Sequence, residues 1–357
     1  MPRLLAPLLL TLIPLLATPL PACAEELIRV YNWTDYIAPQ VLADFEKQTG
    51  IRVEYHTFSS AEELEKILAS GEAIDVAVPT HSDLPALIKA GRLQPLEMAK
   101  LPNRAHLDKQ LLNKLAAVDP QHRYAIPYLW GAVGLAVNTQ LAEQAFGGPL
   151  PDSWSLLFDP EQSKRLASCG ISVLDARDEV LSVLMNYQGR SLAHSSPRQI
   201  KRAGGVLDEL RPQLRYVDGQ RQLTDLSKGE LCLSLTWVGD ALAAAAAGQP
   251  VRFVIPQEGS AVFIDNLVIP SSARRADLAH RFIDYLMQPK VAALITKETL
   301  YPSGNADAKA FLDPALREQP GLYPDRATKR RLFALETLPD KQRVVRDHVW
   351  ARFRDGS

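Results

Sequence analysis

Residues 27–36 read Leu27-Ile28-Arg29-Val30-Tyr31-Asn32-Trp33-Thr34-Asp35-Tyr36. A run of strand-forming residues passes without a break into a cluster of aromatic, hydroxyl and acidic side chains. The run suits a strand buried on both faces of a parallel sheet. Helical spacing follows over residues 39–47, with Val41, Leu42 and Phe45 on one stripe and Gly50 as a stop. Residues 51–58 alternate as a second strand. Ser59 or Ser60 caps the next helix, Glu63 completes a capping box with Ser60, and Leu64, Ile67 and Leu68 form the apolar stripe up to Gly71. A third strand over residues 74–78 ends at Pro79. Strand and helix alternate in this way through most of the chain, the pattern of an α/β fold.

Further strands are expected at 133–137, 171–174, 232–236, 251–255 and 261–269, and helices at 179–187, 197–210, 241–247 and 277–286. The chain would cross to a second lobe near residue 133 and return near 257. In open α/β sheets ligands bind beyond the carboxyl ends of the strands. At those ends this sequence places Trp33-Thr34-Asp35-Tyr36, Thr80-His81-Ser82-Asp83, Asp175 to Glu179, Trp237 to Asp240, and Phe263 to Asp265. Acids and aromatics recur together. Carboxylates neutralise an ammonium through charge-assisted hydrogen bonds, and aromatic faces attract cations and pack on methylene chains. A flexible diamine needs both, acids at its ends and aromatic walls along its stem.

The chain's 357 residues exceed what one core usually fills, and two lobes follow as the expectation. A formal net charge of -1, with no basic stripe, argues against nucleic acid or an anionic membrane surface as partner. The N-terminus carries Arg3, an apolar stretch from Leu4 to Leu20 broken by three prolines, and Ala22-Cys23-Ala24. This is the pattern of a cleaved export signal over residues 1–24, cut before Glu25. A lipidated Cys23 is the alternative, although Pro21 fits it poorly. Cys169 and Cys232 then remain as an even pair in an oxidising compartment. They are either bridged, which would stabilise by roughly 4 kcal/mol through loop closure, or two buried thiols.

No catalytic constellation emerges. The histidines are scattered without metal-ligand spacing, and no nucleophile elbow or phosphate loop occurs. No cofactor or metal is expected.

The stretch Val30 to Ile37 resembles the opening of mature periplasmic polyamine-binding proteins, above all their putrescine-binding branch. The similarity extends through Ile126 to Gly131, Ser168-Cys169-Gly170, Val173-Leu174-Asp175, Thr236 to Asp240 and Gly321 to Pro324. It implies a bilobal, type II solute-binding fold, α/β in each lobe, with crossover strands and a ligand cleft. Lobe one would span 25–132 and 257–300. Lobe two would span 133–256, with much of 301–357 as a further part of that lobe and a hinge-spanning segment. The resemblance implies that Trp33, Thr34, Asp35, Tyr36, Thr80, Ser82, Glu179, Trp237, Asp240, Phe263, Asp265 and Tyr301 contact the ligand. It also implies a Cys169–Cys232 disulfide. The expected protein is a periplasmic monomer, not an enzyme, that delivers a polyamine to an ABC permease in the inner membrane.

Where the putrescine branch is more apolar, this chain reads Thr80-His81-Ser82-Asp83. Either His81 and Asp83 enter the pocket or they face solvent. Putrescine, spermidine, cadaverine and agmatine therefore stay open as ligands, and the same fold could serve signalling. An exported glycoside hydrolase is the reading from another class. It would need two carboxyls at a set spacing, whereas the acids here are dispersed.

Overall fold

Strand β1 (Leu27–Trp33) lies parallel to β2 (Arg52–Phe58) on one side and β3 (Val76–Ala77) on the other. The computed structural model describes residues 26–356. The expected export signal and the Cys23 alternative lie outside the described residues. Between β1 and β2 runs the helix Pro39–Thr49. Pro39 opens it, and Gly50 closes it at φ 73°, donating its N–H to the Glu46 carbonyl. The helix Ala61–Ala69 is capped by the Ser60 hydroxyl, which accepts from the Glu63 N–H. The capping box is displaced by one residue, because the Glu63 carboxylate takes the Ser59 N–H at 2.8 Å, not that of Ser60.

The rest of the sheet is organised by two long strands. Strand β4 (Ala125–Asn138) has 14 residues, far more than the expected 133–137. Its first half, 125–132, pairs antiparallel with β9 (Ser260–Val268). Its second half pairs with β7 (Leu233–Trp237) and β8 (Val251–Val254). Parallel to β7 lies β5 (Ile171–Val173), and beyond it β6 (Tyr216–Val217). The order β2-β1-β3-β9-β4-β7-β5-β6 therefore holds two α/β lobes on one continuous path. Strand β10 (Leu332–Ala334) pairs parallel with the start of β9 and makes a third crossing.

Each lobe has its own core. One gathers Ile28, Phe45, Val76, Leu267 and Phe282; the other gathers Leu135, Trp154, Val173, Leu184, Ile200 and Leu233. The C-terminal segment is divided between them. Leu322 lies in the first lobe's core, while Val349, Trp350 and Phe353 of the helix Asp340–Asp355 lie in the second. Cys169 and Cys232 are joined in a disulfide with Cα atoms 5.5 Å apart, tying the start of β5 to that of β7. Among the described residues, no helix is long and apolar enough to cross a membrane.

Candidate ligand cleft

Three strand-to-helix junctions shape the cleft between the lobes. The helix Val238–Ala246 starts directly after β7, so Asp240 sits in its first turn and not in a loop. The helix Arg177–Tyr187 starts two residues before the expected position, which puts Glu179 in its first turn. Helix N-termini attract anions. Here each carries its own acid, which leaves the exposed end attractive to a cation. After β1 the chain turns through Asp35 at φ 54°, a left-handed conformation that holds the Trp33 to Tyr36 loop over the sheet.

Eleven of the twelve expected residues line one cavity of about 310 Å³ between the lobes: Trp33, Thr34, Asp35, Tyr36, Thr80 and Phe263, Asp265 and Tyr301 from the first lobe side, and Glu179, Trp237 and Asp240 from the second. Tyr301 packs edge-on against both Tyr36 and Phe263, with centroids 5.2 and 5.8 Å apart. Glycine makes room for these rings: a Cβ at Gly239 would lie 2.5 Å from the Tyr301 ring, and one at Gly131 2.6 Å from Phe263. Ser82 is the exception. It faces an adjoining cavity of about 460 Å³ with Asp83, because the chain past Thr80 already turns into the helix Leu84–Lys89.

His81 does not enter either cavity. Its ring is buried, with Nδ1 accepting from the Ile264 N–H at 3.2 Å and Nε2 facing the Leu335 carbonyl at 3.1 Å. Burial pushes its pKa down to about 4. It is a neutral pin between strand β9 and the C-terminal segment.

The cavity is lined by the acids Asp35, Glu179, Asp240, Asp265 and Glu298 and by no lysine, arginine or histidine. Removal from water pushes Glu179, Asp265 and Asp240 up. Glu179 rises to about 8, through burial and then the neighbouring Asp178 charge. Asp265 rises to about 7 by burial, although the Thr80 hydroxyl at 2.6 Å and the Tyr36 hydroxyl at 2.8 Å donate to it. Asp240 rises to about 6 by burial, held down by Thr236 and Gln222. Asp83, next door, rises to about 7 by burial and the charges of Asp178 and Asp265. The adjoining cavity differs in kind, since Lys66, Arg177 and Arg354 also line it. Of these two cavities, the smaller is the one whose described lining holds acids and no cation. Among the described residues, no cluster of histidine, cysteine and acids is placed to hold a metal.

Sequence reasoning passed over Gln220, Leu223 and Glu298, which also line the smaller cavity. Gln220 and Leu223 follow β6, whose two residues leave no legible strand pattern. Glu298 lies in the last turn of a helix, Pro289–Thr299, and so reaches the cavity lining from outside the strand ends.

A sequence profile for the bacterial extracellular solute-binding protein family matches residues 40–323. The putrescine/agmatine-binding protein of Pseudomonas aeruginosa is 40% identical over 342 residues, covering 94% of this chain and 93% of its own. The putrescine-binding periplasmic protein PotF of Escherichia coli is 36% identical over 346 residues, covering 94% and 93%. Among solved structures, the spermidine/putrescine ABC transporter substrate-binding protein PotD of Streptococcus pneumoniae superposes with a TM-score of 0.79 at 26% identity, over 93% of this chain and 99% of that one.

Proposed function

The chain belongs to the family of bacterial extracellular solute-binding proteins, and from that premise we propose that it captures a small polyamine in the periplasm for an ABC-type importer. It is a binding protein, not an enzyme, and the glycoside hydrolase alternative falls with that. One observation carries the choice of ligand: a cavity of about 310 Å³ between the lobes whose lining holds five acids and, among the described residues, no lysine, arginine or histidine, walled by Trp33, Trp237, Phe263 and Tyr301. Such a site leaves buried carboxylates uncompensated until a cation arrives. An amino acid or another anion finds no arginine there to hold its carboxylate.

In this reading Asp240 and Asp265 hold one ammonium, and Glu179 with Asp35 holds the other. Trp33 and Trp237 enclose the methylene stem. These groups come from both lobes and meet only when the cleft is shut, so ligand binding favours the closed form, which the permease accepts. Putrescine, with two ammonium groups and a short stem, suits a cavity at the small end of ligand pockets. The names of the two relatives that bind putrescine support the same choice. The test is a thermal-shift panel on refolded protein with putrescine, cadaverine, agmatine, spermidine and γ-aminobutyrate. Stabilisation by the amines with putrescine foremost is expected; stabilisation by γ-aminobutyrate alone would refute the dication reading.

A further inference from the structure

Asp240 is held on one side only. Its Oδ2 accepts from the Thr236 hydroxyl at 2.8 Å and from the Gln222 amide nitrogen at 3.2 Å, while Oδ1 has no hydrogen-bond partner among the described residues. Gln222 itself is 1% exposed. Its nitrogen also donates to the Gly219 carbonyl at 3.2 Å, so both amide hydrogens meet acceptors. Turned over, the amide would point its oxygen at a carbonyl and a carboxylate, which fixes its orientation. The cost of that orientation is visible, because the buried Oε1 of Gln222 has no partner. An apolar side chain would fill the same place without leaving an acceptor unpaired. What the amide nitrogen does for Asp240 accounts for its presence.

We propose that Gln222 is a positioning residue for ligand capture: it commits Oδ2 of Asp240 to the protein as an acceptor, leaves Oδ1 to the ligand ammonium, and thereby sets the lowest pH at which the amine is held. This rests on the polyamine reading of the cleft. Protonating Oδ2 would weaken the hydrogen bond it accepts from the Gln222 amide nitrogen, and protonating Oδ1 would place a proton where the ammonium binds. The other groups facing Asp240 all oppose its ionisation or are neutral. Asp35 approaches from the loop after β1 and Tyr301 from the C-terminal segment. Asp265, Glu179 and Glu298 share the cavity. Asp225, on the helix that carries Gln222, is engaged by Tyr216 at 2.7 Å and Arg221 at 3.0 Å and does not compete for the amide. Thr236 and Gln222 are therefore the two side chains that favour the charged form, beside the N-terminal end of the helix that carries Asp240.

The test compares wild type with Gln222→Leu and Gln222→Glu, the latter nearly isosteric and lacking both donors. The first readout needs no ligand: carbon-13 NMR titration of the Asp240 carboxyl, assigned with Asp240→Asn. The midpoint should rise by about one pH unit in Gln222→Leu, and further in Gln222→Glu. The second readout is putrescine affinity, which should fall about fivefold at about pH 6 and by less than about twofold at about pH 8 in Gln222→Leu. An unmoved midpoint in both variants overturns the proposal, as does a loss of affinity equal at both pH values. If wild type takes up no putrescine, the polyamine reading fails, and the carboxyl midpoint still decides the role of Gln222.

Discussion

At the scale of single residues, the cleft is a set of carboxyls kept from water with too few positive charges nearby. Their raised pKa values are the energetic trace of that arrangement, and a bound dication would reverse it. Asp240→Asn keeps the shape and the Thr236 contact but removes the charge offered to an ammonium. Affinity for putrescine should fall about ten- to hundredfold, the range for a charge-assisted hydrogen bond, with little change in the melting temperature; calorimetry and a thermal melt check both. Part of this was legible in the sequence, because Trp33, Asp35, Trp237 and Asp240 stand at or just past the ends of β1 and β7. Phe263 and Asp265, expected at a strand end, lie instead in the middle of β9 and reach the cleft because that strand runs beneath it. Ser82 falls outside the smaller cavity because the chain has left the strand by that point and turns toward the helix Leu84–Lys89. Gln222 had no sequence signal at all. Its role depends on a neighbour 18 residues on, and a buried glutamine reads like any other helix residue.

At the scale of elements, alternation of strand and helix was readable wherever apolar runs were long, as in β1, β9 and the helix Ala276–Leu286. Two-residue strands such as β3 and β6 were not fully readable, since their pairing is set by neighbours already in place. The length of β4 was missed for a related reason. Pro127 and two glycines interrupt its pattern, and only pairing with partners from both lobes makes it one strand. The helices also carry a contact between lobes that touches no ligand. Arg177 of the second lobe reaches Glu62 in the first turn of the helix Ala61–Ala69 at 2.7 Å, while Asp347 stands 3.4 Å from the same guanidinium. Arg346 in turn pairs with Asp178. Glu62→Gln removes only the part that crosses the cleft. Stopped-flow tryptophan fluorescence should show faster putrescine release, by about two- to fivefold for a half-exposed pair, with diamine preference unchanged. An altered preference with no change in rate would place Glu62 among the ligand contacts instead of on the rim.

The whole molecule combines two lobes, three crossings and a charge imbalance that exists only in the folded state. Raised carboxyl pKa values mean that the folded protein binds more protons than the unfolded chain between the ordinary carboxyl range and about pH 8. Stability therefore falls as pH rises through that window. His81 works the other way, since its lowered pKa adds stability as pH rises from about 4 to its ordinary value of 6.5. Above that value only the carboxyls act. Ligand-free protein should melt at a lower temperature at about pH 8 than at about pH 6.5, and putrescine should remove most of the difference. A melting temperature that rises over this interval without ligand would show that the acids are already compensated.

The most direct test of the central claim is calorimetric titration of refolded protein with putrescine near neutral pH, repeated in two buffers of different ionisation enthalpy. The account predicts saturable one-to-one binding with release of about one proton or more, as Glu179 and Asp265 ionise beside the incoming dication. Absence of binding, or binding accompanied by proton uptake, would contradict it.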